Sequence, residues 1–218
     1  MVSQSEGSMR ALLQPRSIAL VGASERQDTL GRAMVDMARV GGYAGSVYAI
    51  NPKYREINGV PCFGSIAELP EVVDHVVLGV GNERLEAALD DAIAHGARAA
   101  TIFASCGVHG DGGKLRESLA AKARAAGMSI CGGNCMGFYN NEIGLRVAGY
   151  PALQAMEPGS IGWLAQSGSV FGALAHNDER LKFNVAISSG AELVTTAADY
   201  LRWMANHENI RVIGMFLE

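Results

Sequence analysis

Gly22, Ala23 and Ser24 stand where a chain can hold an anion. They follow a run of β-favouring apolar residues, Ile18 to Val21, and precede an amphipathic stretch from Leu30 to Val40. A buried strand, a glycine turn and a helix N-terminus in succession offer N–H groups without intrahelical partners and the positive end of a helix dipole. The ligand such a corner most often takes is a phosphate. Lys53, in the Asn51-Pro52-Lys53 that closes the second apolar run, suits a ligand with an extra phosphate. A dinucleotide corner needs G-x-G-x-x-G after the first strand and an acidic residue ending the second, to hold a ribose. Here the next glycine after Ser24 is Gly31, and the second strand ends in lysine. NAD is therefore disfavoured, and NADP less so.

The elements that must position this corner follow from periodicity. Gly41-Gly42 close the first helix. Apolar runs at Ser46–Ile50, Asp74–Val80, Ala99–Phe103 and Met128–Cys131 read as strands. Glu83–His95, with Leu85, Leu89, Ala92 and Ile93 on one face, and Gly113–Ala126 read as helices closed by Gly96 and Gly127. Ser65–Leu69 reads as a short helix with Ser65 as its N-cap. Strict alternation of helices with almost wholly apolar strands predicts a parallel sheet covered on both faces, a Rossmann-like doubly wound α/β domain. Residues 1–140 are assigned to it.

The stretch 141–158, with Gly144, Gly149, Pro151 and Pro158, breaks the rhythm and reads as a linker. Residues 159–218 then read as a second, partial α/β domain. Its strands are expected at Ser160–Ala165, Phe183–Ile187 and Arg211–Leu217, and its helices at Val170–Asn177 and Thr195–Ala205. Three strands are few for such a sheet. A chain ending on an uncovered strand is expected to be truncated, and to dimerise or dissolve poorly.

Composition bounds the rest. The chain has 218 residues, is 49% hydrophobic and 18% charged, and so can bury a core. A net charge of −4 without a dense Lys/Arg cluster argues against nucleic acid. No apolar run is long enough for a membrane span, and Met1–Gln14 lacks the pattern of a signal peptide. Cys62, Cys106, Cys131 and Cys135 form no C-x-x-C pair. Reduced thiols in a cytoplasmic protein are the simplest reading, and no metal site is expected.

Several short motifs together resemble a known family. They are Val21-Gly22-Ala23-Ser24 with Gly31, Ile50-Asn51-Pro52-Lys53, Asn58-Gly59-Val60-Pro61-Cys62 and Gly133-Asn134-Cys135-Met136-Gly137. In this order they look like the CoA-binding domain of NDP-forming acyl-CoA synthetases, relatives of the succinyl-CoA synthetase α subunit. Gln166-Ser167-Gly168, Ser188-Ser189-Gly190-Ala191-Glu192 and Val212–Glu218 resemble the flavodoxin-like ligase domain that follows.

The resemblance implies that CoA lies across the carboxyl ends of the first sheet. Gly22, Ala23 and Ser24 would meet its phosphates and Lys53 would pair with one of them. Gly81, Asn82, Ser105, Cys106 and Gly107 would line the nucleotide and pantetheine arm, with Asn134 and Cys135 near the thiol. Cys135 itself is expected to be a small buried hydrophobe, because the family carries its acyl group on phosphate. The implied reaction joins a small carboxylic acid, CoA and ATP or GTP to give acyl-CoA, NDP and phosphate, through an acyl phosphate. Ser167, Gly168 and Ser169 would hold the phosphoryl group at a helix N-terminus. Glu218 would orient the family's phosphohistidine.

That histidine lies beyond position 218 in the family. The histidines present are His75, His95, His109, His176 and His207, and none stands at its place. An ATP-grasp domain or β subunit would bind the nucleotide with Mg, implying a homo- or hetero-oligomer. The chain departs from the family pattern at Gly133, usually proline, where it is expected to loosen the loop. It departs again at Ala165, usually serine, where a hydroxyl beside the phosphoryl site is lost. The alternative is a non-catalytic CoA- or NAD(P)-binding Rossmann module. Gly22→Val is expected to block ligand approach with the fold intact.

Overall fold

The computed structural model describes residues 4–107, 113–150, 157–175 and 180–218. His109 and His176 lie outside them. The first part of the chain runs α1 (Gln4–Leu13), β1 (Ser17–Val21), α2 (Leu30–Val40), β2 (Ser46–Ile50), β3 (Glu56–Ile57), β4 (Val60–Phe63), β5 (His75–Leu78), α3 (Asn82–His95), β6 (Ala99–Ile102), α4 (Gly113–Ala125) and β7 (Ser129–Gly132). Its sheet has the order β3-β4-β2-β1-β5-β6-β7, parallel throughout except for the β3–β4 pair. Taken without β3, the strands stand in the doubly wound order, which reverses direction between β1 and β5. β5, β6 and β7 are buried at every position, as a sheet covered on both faces requires.

The second part adds β8 (Gly137–Asn140), β9 (Leu145–Ala148), β10 (Ile161–Ala165), α5 (Gly168–Ala175), β11 (Phe183–Ser188), α6 (Ala197–Ala205) and β12 (Val212–Phe216). They form one mixed sheet, β12-β10-β11-β8-β9. β10, β11 and β12 are parallel, and the hairpin β8–β9 is antiparallel to them. β12 is an edge strand with Val212 and Phe216 exposed. One apolar cluster runs through both sheets, from Leu12, Ile18 and Met34 to Leu164, Val185 and Met204.

Helix α1 joins the two halves. Its Leu12 and Leu13 are fully buried. The Leu12 carbonyl meets His75 Nδ1 at 3.1 Å, and the Leu13 carbonyl accepts from Asn140 Nδ2 at 2.8 Å. The buried ring of His75 also reaches Thr101 Oγ1 at 2.9 Å and stacks on Phe138. Because a carbonyl only accepts, Nδ1 carries the proton and Nε2 accepts from the threonine hydroxyl.

Four local expectations are corrected. Helix and strand do not alternate strictly, because the hairpin β3–β4 takes the place of a crossover helix after β2. The segment 66–68 is a single 3-10 turn. Ser65 does not cap it, since its hydroxyl donates to Glu68 Oε1 instead. The stretch 141–158, expected only to connect, carries β9. Its partner β8, expected with the first domain, pairs into the second sheet. α1 lies where no element was expected.

Candidate functional site

Register puts the candidate residues on one edge. Val21 is level with Ile50 and Leu78, Leu78 with Ile102, and Ile102 with Gly132. The residues that follow these strands therefore emerge side by side at the carboxyl edge of the sheet. Gly22–Ser24, Asn51–Lys53, Gly81–Asn82, Ser105–Gly107 and Asn134–Cys135 are all brought there. The chain order reverses between β1 and β5, which opens a crevice at that point for a ligand.

The β1–α2 corner is built by close contact. Gly22 has φ +86, its N–H donates to Ile50 O at 3.2 Å, and a Cβ on it would lie 2.5 Å from Gly79 O. A Cβ on Gly31 would lie 2.3 Å from Gly22 O and 2.9 Å from Ser24 N. The first turn of α2 thus packs directly under the corner. Asn51 Nδ2 donates to Ala23 O at 2.8 Å, and Asn51 Oδ1 accepts Lys53 N–H at 3.0 Å. One asparagine therefore joins the corner to the lysine loop. Thr29 caps α2 by accepting from Arg32 N–H. Among the described residues, neither the Ala23 nor the Ser24 N–H meets an acceptor. The geometry also corrects the Gly22→Val expectation. The missing Cβ points at the backbone of the β5 loop, so the substitution strains the sheet itself.

The next two turns are tied together. Gly81 is the N-cap of α3 and offers no side chain to it. Asn82 Oδ1 accepts Cys106 N–H at 3.0 Å, and its Nδ2 reaches Ser105 Oγ at 3.3 Å. Arg116 holds the carbonyls of Cys106 and Gly107, each at 3.3 Å. Cys106 is fully buried with φ +52, and burial pushes its thiol up to about 11. The Cys135 thiol is buried too, donates to Ile102 O at 3.4 Å and lies 4.0 Å from Cys131 Sγ. The bond to Cys131, then burial, hold it well above the usual thiol range. Neither cysteine presents a thiolate.

Gly133 does not loosen its loop. It is buried, and a Cβ there would lie 2.5 Å from Cys106 Sγ and 2.9 Å from Ala104 O. Asn134 N–H donates to Ala104 O at 2.8 Å. Ala191 and Leu193 N–H donate to Gly133 O and Gly132 O at 2.8 and 3.0 Å. The last two bonds join the edge of the first sheet to that of the second.

At the second edge Ala165 is level with Ser188 and with Phe216. Gln166–Ser169, Ser189–Glu192 and Glu218 are thereby brought together. Ser167 O accepts Phe171 N–H, starting α5, and Ser169 is exposed. Ser188 Oγ, across from Ala165, accepts Met136 N–H at 3.1 Å. The centre of this edge is Glu192, which stands at the end of the Ser188–Glu192 motif with no role assigned to it from sequence. It has φ +50, and its Oε1 accepts from Gln166 Nε2 and Ser189 Oγ, both at 2.9 Å. Its Oε2 accepts Ala197 N–H, at the start of α6, at 2.9 Å. Gln166 Oε1 in turn accepts Glu218 N–H at 2.7 Å, while Glu218 is exposed. The sequence signal for Glu192 is a carboxylate five residues before a helix start. Its partner Gln166 lies 26 positions away. Among the described residues, no group of three or more His, Cys, Asp or Glu could hold a metal ion. No helix there is long and apolar enough to cross a membrane.

Two families of known proteins match the chain, one after the other. Residues 16–141 match the CoA binding domain family, and residues 158–218 match the succinyl-CoA ligase like flavodoxin domain. The ADP-forming acetate–CoA ligase I of Archaeoglobus fulgidus is 30% identical over 216 residues, which are 96% of this chain and 31% of that protein. The alpha subunit of the ADP-forming acetate–CoA ligase I of Pyrococcus furiosus is 30% identical over 219 residues, 97% of this chain and 47% of that subunit. The solved dinucleotide forming acetyl-coenzyme A synthetase 1 of Ca. Korarchaeum cryptofilum, in complex with phosphate and ADP, superposes with a TM-score of 0.89 at 25% identity. That match covers 97% of this chain and 46% of the other. The chain thus spans between about a third and a half of these relatives.

Proposed function

The chain belongs to the CoA binding domain family, and from that membership we propose that it is the coenzyme A-binding portion of an ADP-forming acid–CoA ligase. The observation that carries the reading is the single edge on which the five candidate loops emerge beside the reversal between β1 and β5. The diphosphate of CoA sits at the β1–α2 corner. The Ala23 and Ser24 amides donate to it, Gly22 gives the corner its path, and Lys53 pairs with a further phosphate. The pantetheine arm crosses Gly81–Asn82 and Ser105–Gly107 and brings the thiol to Asn134, where the two sheet edges meet. Residues 1–140, with β8 shared, serve CoA, and residues 159–218 serve the phosphoryl group.

In the reaction so assigned, the CoA sulfur attacks the carbonyl carbon of an acyl phosphate. The C–S bond forms, the C–O bond to phosphate breaks, and phosphate leaves with the electron pair and takes up the proton the thiol gives up. Phosphate is received at the N-terminal turn of α5, by Ser167, Gly168 and Ser169. Glu192, through Gln166, fixes the backbone that leads to Glu218, which orients the phosphoryl carrier. ATP and its Mg are bound by a partner segment or subunit outside these residues, and the acid is a small carboxylic acid.

Calorimetric titration with CoA, dephospho-CoA, NADH and NADPH tests the reading. Binding of CoA in preference to both nicotinamide cofactors is expected, with dephospho-CoA weaker if Lys53 meets the extra phosphate. Tight NADH or NADPH binding without a CoA signal refutes it in favour of a nicotinamide-cofactor module.

A further inference from the structure

Among the described residues, Arg146 is a buried cation with no anion paired to it. It stands on β9, directly across from Tyr139 on β8, and only 2% of it is exposed. Its guanidinium carbon lies 4.8 Å from the centre of the Tyr139 ring. Its Nε and Nη2 atoms are buried and have no hydrogen-bond partner among the described residues. These two N–H groups form the straight edge of the guanidinium, the edge that donates to both oxygens of a carboxylate. A buried charge left unpaired costs a large share of a domain's stability unless a ligand completes it. Burial also presses the guanidinium toward its neutral form.

The surroundings suit an organic acid. Tyr139 packs on Phe171 of α5 with ring centres 5.3 Å apart, and its hydroxyl donates to Tyr150 Oη at 2.9 Å. Arg146 therefore faces the ring of Tyr139, which in turn touches Phe171 and Tyr150. The two strands begin and end beside the meeting edges, since Gly137 is level with Ala148. Met136, one residue before β8, is so close to Gly168 that a Cβ there would lie 2.9 Å from Met136 Cγ. The Arg146–Tyr139 level is two residues further along, about 7 Å from that mouth.

We propose that the Nε/Nη2 edge of Arg146 receives a carboxylate of the acid substrate, beside the ring of Tyr139. This rests on the ligase reading above. Two carboxylates have the required chemistry: the reacting one, or a second one at the far end of a dicarboxylic acid.

The test uses the 15N-labelled chain, with the Arg146 Nε–H signal assigned by its loss in R146M. Sodium acetate, sodium phenylacetate and sodium glutarate are titrated separately at constant ionic strength. At least one acid is expected to move the Nε–H signal saturably, with affinity lost about tenfold or more in R146M and partly kept in R146K. A response to acetate and phenylacetate identifies the reacting carboxylate, and a response to glutarate alone identifies a second. Without ligand, R146M is expected to melt at or above the wild-type temperature, because an unpaired buried charge has gone. The proposal is overturned if no acid moves the signal, or if R146M binds the acids within about twofold of wild type. CoA titrated into the same samples separates the two readings. CoA binding with a silent Arg146 removes this proposal only, and an acid response without CoA binding removes the ligase assignment.

Discussion

Replacing His75 by glutamine should flatten the fall of stability between pH 6.5 and about pH 4.5. The His75 ring is fully buried between the Leu12 carbonyl, Thr101 and Phe138, where water cannot solvate an imidazolium. Burial pushes its pKa down from 6.5 to about 3, against the smaller opposing effects of the Leu12 bond and Asp74. In the unfolded chain the same imidazole takes a proton near its ordinary value. Between pH 6.5 and about 3 the unfolded state therefore binds more protons, and stability falls as pH falls. The slope from this one group is at most about 1.4 kcal/mol per pH unit, and the whole loss is roughly 4–5 kcal/mol. Total stabilities of about 5–15 kcal/mol put that loss within reach of acid unfolding. Asp74 acts in a lower window. Burial pushes its carboxyl up, but hydrogen bonds from Arg16 hold it below 3.8, so its contribution is lost only at more acid pH. The assay is urea unfolding in steps from about pH 8 to about pH 4.5, on wild type and H75Q. H75Q should lose about 1–3 kcal/mol at the alkaline end and show a flatter pH dependence below pH 6.5. Equal slopes for the two proteins would refute the buried neutral imidazole.

Three further substitutions probe the site. Gly22→Ala forces a Cβ to 2.5 Å from Gly79 O at φ +86, and should cost about 2–5 kcal/mol in urea unfolding; a loss below about 1 kcal/mol contradicts the corner geometry. Glu192→Ala removes the acceptor of three hydrogen bonds and should lower stability by about 2–4 kcal/mol, with Glu192→Gln intermediate; thermal melts of all three proteins check the order. Lys53→Ala keeps the backbone bond to Asn51 and should leave stability within about 0.5 kcal/mol, while CoA affinity falls roughly fivefold and its salt dependence shrinks. Calorimetry at two salt concentrations measures both effects.

The parallel sheet and the β1–α2 corner could be read from the chain because each is local. Apolar runs, glycine helix stops and the turn at Gly22 lie within a few residues of one another. The hairpin β3–β4 had a local signal as well. Asn58-Gly59, at φ +49 and +75, is the residue pair that turns a two-residue hairpin, a signal that the Asn58–Cys62 motif contains. Helix α1 was hidden because Gln4–Leu13 mixes Gly, Ser and charge, and packing rather than propensity holds it. The Glu192 network and the Arg146 cation are different in kind. Each depends on partners that only the folded chain brings close, or, for Arg146, on their absence among the described residues.

The most direct measurement is a crystal structure of the chain soaked in coenzyme A. Phosphate oxygens within hydrogen-bond distance of the Ala23 and Ser24 amides, with the thiol directed toward Asn134, are the predicted result. Coenzyme bound elsewhere, with the β1–α2 corner empty, would contradict the account.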